Sequence, residues 1–182
     1  MILSDVTIKE LIGSGHITIL PDFDFGDLRP VGIRLHLGKD ILIPEPDQTI
    51  DLSGNLEVKY QQVTMGEEGY LLKPGEFILG STHEKFQVPR NIVCHIDGRS
   101  TTARLGLSIH CTATIVDGNF DELRSVVLEM KNIGPSNLLL KPELPIAMLT
   151  FAGLSSEIAQ NSQEQYRGQE GVVAPNLKVQ KQ

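Results

Sequence analysis

The sequence predicts a mainly β domain, and three observations carry that expectation. Short alternating or β-branched runs follow one another from Ile33 to Phe151, separated by Pro, Gly, Asn and Asp. Only two stretches read as helix. The length of 182 residues suits a single compact domain, and a chain of this size buries roughly 70% of its unfolded surface without disulfides or a structural metal.

Ser4 is a good N-cap for Asp5 to Ile12, where Ile8, Leu11 and Ile12 share one face and Gly13-Ser14-Gly15 ends the turn, so a short amphipathic helix opens the chain. Strands are expected at Ile33 to Leu37, Ile41 to Ile43, Leu56 to Tyr60, Gly69 to Leu72, Phe77 to Thr82, Ile92 to Ile96, Leu107 to Ala113, Val126 to Met130, Asn137 to Leu140 and Ile146 to Phe151. Between two of them, Ser100 to Leu105 suits one helical turn with a hydroxyl at its start. The pattern closes a sandwich or barrel over residues 1–154. Residues 155–182 differ, with six Gln and little large apolar surface; such a tail cannot fold alone. It reads either as a frayed terminus or as a lid whose glycines let backbone amides approach phosphates.

Composition narrows the function. Sixteen basic against 23 acidic residues give a net charge of −7, with 5% aromatics and no Trp. That argues against long nucleic acid, which demands a basic stripe, and against base-stacking platforms, while leaving a local pocket for a small phosphorylated ligand. The longest apolar candidate, Pro145 to Leu154, is far short of the roughly 20 residues a spanning helix needs, and Met1 to Asp5 lacks a basic signal region. A soluble protein of the reducing cytoplasm is expected, with Cys94 and Cys111 as packing residues.

The densest chemistry lies in Asp97-Gly98-Arg99-Ser100-Thr101-Thr102-Ala103-Arg104, where two Arg and three hydroxyls crowd a turn into a helix. This is either a phosphate cradle or a capped helix whose arginines meet surface carboxylates. Glu129, in the otherwise apolar Val126 to Met130, either faces solvent or sits half-buried where a carboxylate suits acid/base work. Cys94-His95 and His110-Cys111 suggest a zinc quartet, but adjacent strand residues point to opposite faces, and the His-x-Glu with Pro-Cys-x-x-Cys deaminase signature is absent.

The string Asp97 to Leu107 with Ile109 to Ala113 resembles the dCTP deaminase branch of the dUTPase-like trimeric nucleotide hydrolases. Lys73 to Leu79, Val127-Leu128-Glu129 with Asn132 and Gly134, Ile146 to Phe151, and Tyr166 to Gly171 agree in order, so the likeness spans nearly the whole chain. The resemblance implies a distorted jelly-roll or dUTPase-like β-barrel, a homotrimer with shared active sites, dCTP as substrate, no zinc, and Mg2+ held through the phosphates. It implies Glu129 as the catalytic carboxylate, Ser100 as holder of the water and Arg104 as orienting residue. By the same likeness Arg99, Thr101 and Gln169 contact the triphosphate, Thr112 and Ala113 line the pyrimidine pocket, and Asp117 and Tyr166 join the substrate site.

Departures are also visible. The family's early acidic position is Arg34, its Asp-Pro-Gly-aromatic stretch is Asp117-Gly118-Asn119-Phe120, the segment from Ala113 to Glu129 is longer than usual, and a lysine before the tail tyrosine is Gln165. Three functions follow: deamination of dCTP to dUTP; cleavage of dUTP to dUMP, alone or after deamination, with Asp117 activating water; and a non-catalytic nucleotide-binding trimer.

Overall fold

A computed structural model describes residues 1–52, 58–117, 119–120, 122–159, 166 and 170–176. The chain runs through α1 (Asp5–Gly13), β1 (Thr18–Leu20), a 3-10 turn (Phe25–Asp27), β2 (Leu28–Arg29), β3 (Gly32–His36), β4 (Asp40–Pro44), β5 (Tyr60–Thr64), β6 (Tyr70–Leu72) and β7 (Phe77–Ser81). It continues through β8 (Lys85–Gln87), β9 (Ile92–Gly98), α2 (Ser100–Ala103), β10 (Leu107–Ser108), β11 (Ile115–Val116), β12 (Val127–Asn132), β13 (Leu138–Leu140) and β14 (Pro145–Gly153).

Two five-stranded sheets, ordered β10-β12-β7-β4-β5 and β11-β9-β14-β3-β2, make up the body, and β1-β8 and β13-β6 form small side pairs. Every pairing is antiparallel. Alternation explains the core. Ile33 and Leu35 on β3, Cys94 and Ile96 on β9, and Leu149 and Phe151 on β14 meet Ile41, Ile78, Leu128 and Met130 of the other sheet in one buried cluster. Gly80 belongs to that packing, since a Cβ there would stand 2.5 Å from Met130 Cε.

Both helices lie where the sequence puts them. At α1, Ser4 takes the extended N-cap conformation, but its hydroxyl makes no capping bond and lies 3.5 Å from Thr7 Oγ1. The strands expected at Ile33, Ile41, Gly69, Phe77, Ile92, Val126, Asn137 and Ile146 are present within a few residues. Three expectations need correction. The strand expected at Leu56 to Tyr60 starts instead at Tyr60, because Tyr60 to Thr64 is the segment that pairs with β4 (residues 53–57 lie outside the described residues). Leu107 to Ala113 is not one strand: pairing stops after Ser108, whose hydroxyl bonds His110 O at 2.6 Å, and the Cys111 amide goes to a side chain. Cys94 is in the core, where burial pushes its thiol well above the ordinary range, but Cys111 is exposed and is no packing residue.

β12 ends at Asn132, a fully buried amide that donates to Leu72 O (3.0 Å) and Ser136 O (2.7 Å) and accepts from Gly134 N–H (3.0 Å). These bonds fold the chain back toward Gly106 at the exit of α2. Gly106 has φ +89°, and a Cβ there would meet Gly134 Cα and N at 2.4 Å. No helix among the described residues is long and apolar enough to cross a membrane.

Candidate active site

Along β12, Leu128 and Met130 point into the core, so Val127 and Glu129 face the opposite side. On that outer face Glu129 stands in register with Leu79 of β7, which is itself in register with Leu42 of β4. A cavity of about 460 Å³ opens there. Its floor is Phe77, Leu79, Val127 and Glu129, with Tyr60 beside them; Ala113, Ile115 to Asp117, Asn119 and Arg124 to Val126 contribute its sides. Tyr166 and Val173 to Pro175 of the tail form a further wall.

Glu129 is half-buried, and one carboxylate oxygen accepts the Cys111 N–H at 3.1 Å. The segment that carries Thr112 and Ala113 is thereby tied to the carboxylate. A half-buried carboxylate with one fixed donor, set in a largely apolar hollow, can accept and return a proton at a planar ring. Burial and the nearby Tyr166 phenol push the Tyr60 hydroxyl above its ordinary range. Tyr166 in turn accepts the Asn176 N–H at 3.2 Å. Lys85 holds Glu170 at 3.3 Å.

The structure brings four of the sequence-predicted residues to this cavity: Glu129, Ala113, Asp117 and Tyr166. Thr112 is exposed next to Ala113. Ser100 and Thr101 on α2 and Arg104 just after it are exposed and do not line the cavity of their own chain. Arg99 is half-buried; Nη1 donates to Pro145 O at 2.6 Å, and burial and the neighbouring Arg34 lower its proton affinity. Gln169 and Gln165 lie outside the described residues.

Arg34, standing where the resemblance expects an acid, pairs with Asp27 of the 3-10 turn at 3.3 Å, and His36 lies between Asp27 (3.6 Å) and Glu84 (2.6 Å). The carboxylate is therefore supplied from another element. His110 donates through Nε2–H to Asp97 Oδ1, 3.2 Å away, linking the start of the α2 motif to the segment that holds Glu129. Among the described residues no group of three or more His, Cys, Asp or Glu side chains is placed to hold a metal ion.

Sequence reasoning missed Tyr60, Phe77, Leu79, Arg124 and Val173 to Pro175. Phe77, Leu79, Val127 and Glu129 share strand parity, a signal that was available; the tail segment carries none. In the altered stretch after Asp117, Asn119 and Phe120 are anchored. Asn119 Nδ2 donates to Phe86 O (2.6 Å) and Arg124 O (3.0 Å), and Phe120 is buried.

Comparisons with known proteins identify the family. The family model described as dCTP deaminase-like matches residues 2–154. A protein named dCTP deaminase from Haloarcula marismortui is 31% identical over 188 residues, covering 97% of this chain and 95% of its own. One named "dCTP deaminase, dUMP-forming" from Persephonella marina is 33% identical over 179 residues, covering 97% of each. Among solved structures, the 2'-deoxycytidine 5'-triphosphate deaminase from Agrobacterium tumefaciens shares the fold, with a TM-score of 0.63 at 15% identity over 82% of this chain and 47% of that one. With its outward-facing Glu129, its Gly-Arg-Ser turn and a match over most of its length, the chain belongs to the dCTP deaminase-like family.

Proposed function

We propose that this protein hydrolyses dCTP to dUTP and ammonia, a hydrolase acting on the cyclic amidine C–N bond of the pyrimidine. The observation that carries the reading is Glu129, held by the Cys111 amide on the floor of a largely apolar cavity beside Ala113, with Asp117 lining the same space. Water adds to the amino-bearing ring carbon as Glu129 takes its proton; the same carboxyl returns a proton to the amino nitrogen, the C–N bond breaks and ammonia leaves. One residue serves both steps, so no second acid is required.

Ser100 holds the attacking water, and Arg104 orients the site through a charge-assisted hydrogen bond. Both are exposed, at the start and just past the end of α2, and absent from their own chain's cavity, which favours delivery from a neighbouring subunit of a homotrimer. Arg99, Thr101 and Gln169 grip the triphosphate, Thr112 and Ala113 border the pyrimidine, and Tyr166 closes the tail over it. Mg2+ enters with the substrate, ligated by phosphate oxygens, the hard donors it prefers.

A second reading is supported by Asp117 lining the same cavity as Glu129: after deamination this carboxylate activates water at the phosphate chain and dUMP is the product. Incubation with dCTP and magnesium separates the outcomes. Ammonia with dUTP is expected, ammonia with dUMP supports the second reading, and no ammonia, or full activity in Glu129→Gln, overturns both.

A further inference from the structure

Among the described residues that line the cavity there are two carboxylates, Glu129 and Asp117, and one cation, Arg124. A cavity that admits a polyanion with two carboxylates in its wall needs positive charge in the same wall. Arg124 is well placed and well held. Its side chain is 14% exposed, and Nε and Nη2 both donate to Glu122 Oε2, at 3.1 and 2.9 Å. Two of the five N–H donors of a guanidinium are thus used to fix its plane, and the others remain for a ligand. Its backbone is pinned independently, by reciprocal bonds with Phe86 (2.9 and 3.2 Å) and by Asn119.

Arg124 lies before β12, held to Phe86 by an isolated bridge, and lines the same cavity as Asp117, Asn119 and Glu129. With the reacting ring at Glu129, the 5'-phosphates are the part of the nucleotide whose charge a guanidinium fork matches. We infer that Arg124, positioned by Glu122, is a phosphate-binding residue contributed by the same chain as Glu129. This rests on the reading of the cavity as the nucleotide site.

The test compares Arg124→Ala with its parent in a Glu129→Gln background, so that binding is measured without turnover. Calorimetric titrations use dCTP, inorganic triphosphate and deoxycytidine, and wild-type ammonia release from dCTP is recorded alongside. The expected result is a loss of dCTP affinity of about tenfold to a hundredfold, the range for a hydrogen bond to a charged group, with triphosphate weakened in parallel and deoxycytidine unchanged. Since the backbone bonds of Arg124 survive truncation, the variant is expected to fold; Arg124→Gln gives the same comparison if it does not. A dCTP affinity within twofold of the parent overturns the inference, as does an equal loss for deoxycytidine, which assigns the guanidinium to the ring. If wild type deaminates dCTP and Arg124→Ala binds it normally, only this inference falls. If wild type neither binds nor deaminates dCTP, the functional reading falls as well.

Discussion

Under the proposed mechanism Glu129 carries the chemistry, and its neighbours in sequence decide where it faces. Leu128 and Met130 are fully buried, which obliges Glu129 to face the other side of the sheet, and the Cys111 amide then fixes its carboxylate. Glu129→Gln keeps the shape and an oxygen for that amide but cannot exchange a proton. Its kcat for ammonia release is expected to fall roughly 10²- to 10⁴-fold with an unchanged melting temperature; a wild-type rate contradicts the assignment. Strand parity made the facing of Glu129 legible in the sequence, but not whether that face meets solvent. The answer lies with Tyr166 and Val173 to Pro175, which cover the face through tertiary contact and leave no periodic trace. Arg124 was illegible for the same kind of reason, since a loop residue shows its side of the wall only once the loop is anchored at Asn119 and Phe120.

At the scale of elements, long apolar strands and the two helical segments were legible, because periodicity of two and cap-and-glycine punctuation act locally. The two- and three-residue strands β1, β2 and β8 were not, since their partners alone create them. Leu107 to Ala113 reads as one strand until a serine hydroxyl and a glutamate carboxylate take the backbone partners. Gly106 sits at that break. Gly106→Ala forces φ +89° on a residue with a Cβ and drives it into the Gly134 backbone, so a cost of at least about 2 kcal/mol is expected in urea unfolding. A midpoint equal to wild type would contradict the close approach.

β6 offers a pH-dependent contact: the Tyr70 hydroxyl donates to Glu76, whose other oxygen accepts the Lys73 N–H at 2.8 Å. Burial first, and then this bond and the carboxylate charge, raise the Tyr70 phenol above its ordinary 10.0. Below pH 10 both folded and unfolded chains keep the proton and the contact contributes fully. Above it the unfolded chain loses its proton first, so stability falls as pH rises. Tyr70→Phe is expected to melt lower at neutral pH and to show a shallower decline above pH 10; parallel curves would contradict this.

For the whole molecule, two packed sheets carry the Glu129 cavity on an outer face, and Ser100 and Arg104 do not line it. A net charge of −7 disfavours nucleic-acid polymers; under the proposed function, Arg124 in the wall, with Arg99 and Arg104 delivered by a neighbouring subunit, would concentrate positive charge locally. In the proposed trimer, deamination takes place where Glu129 of one chain meets Ser100 and Arg104 of the next. Mixing inactive Glu129→Gln with inactive Arg104→Ala after joint refolding tests it directly. Random assembly gives one intact site in four, so ammonia release from dCTP is expected to recover to about a quarter of the wild-type rate. A mixture as inactive as its folded parents would contradict it.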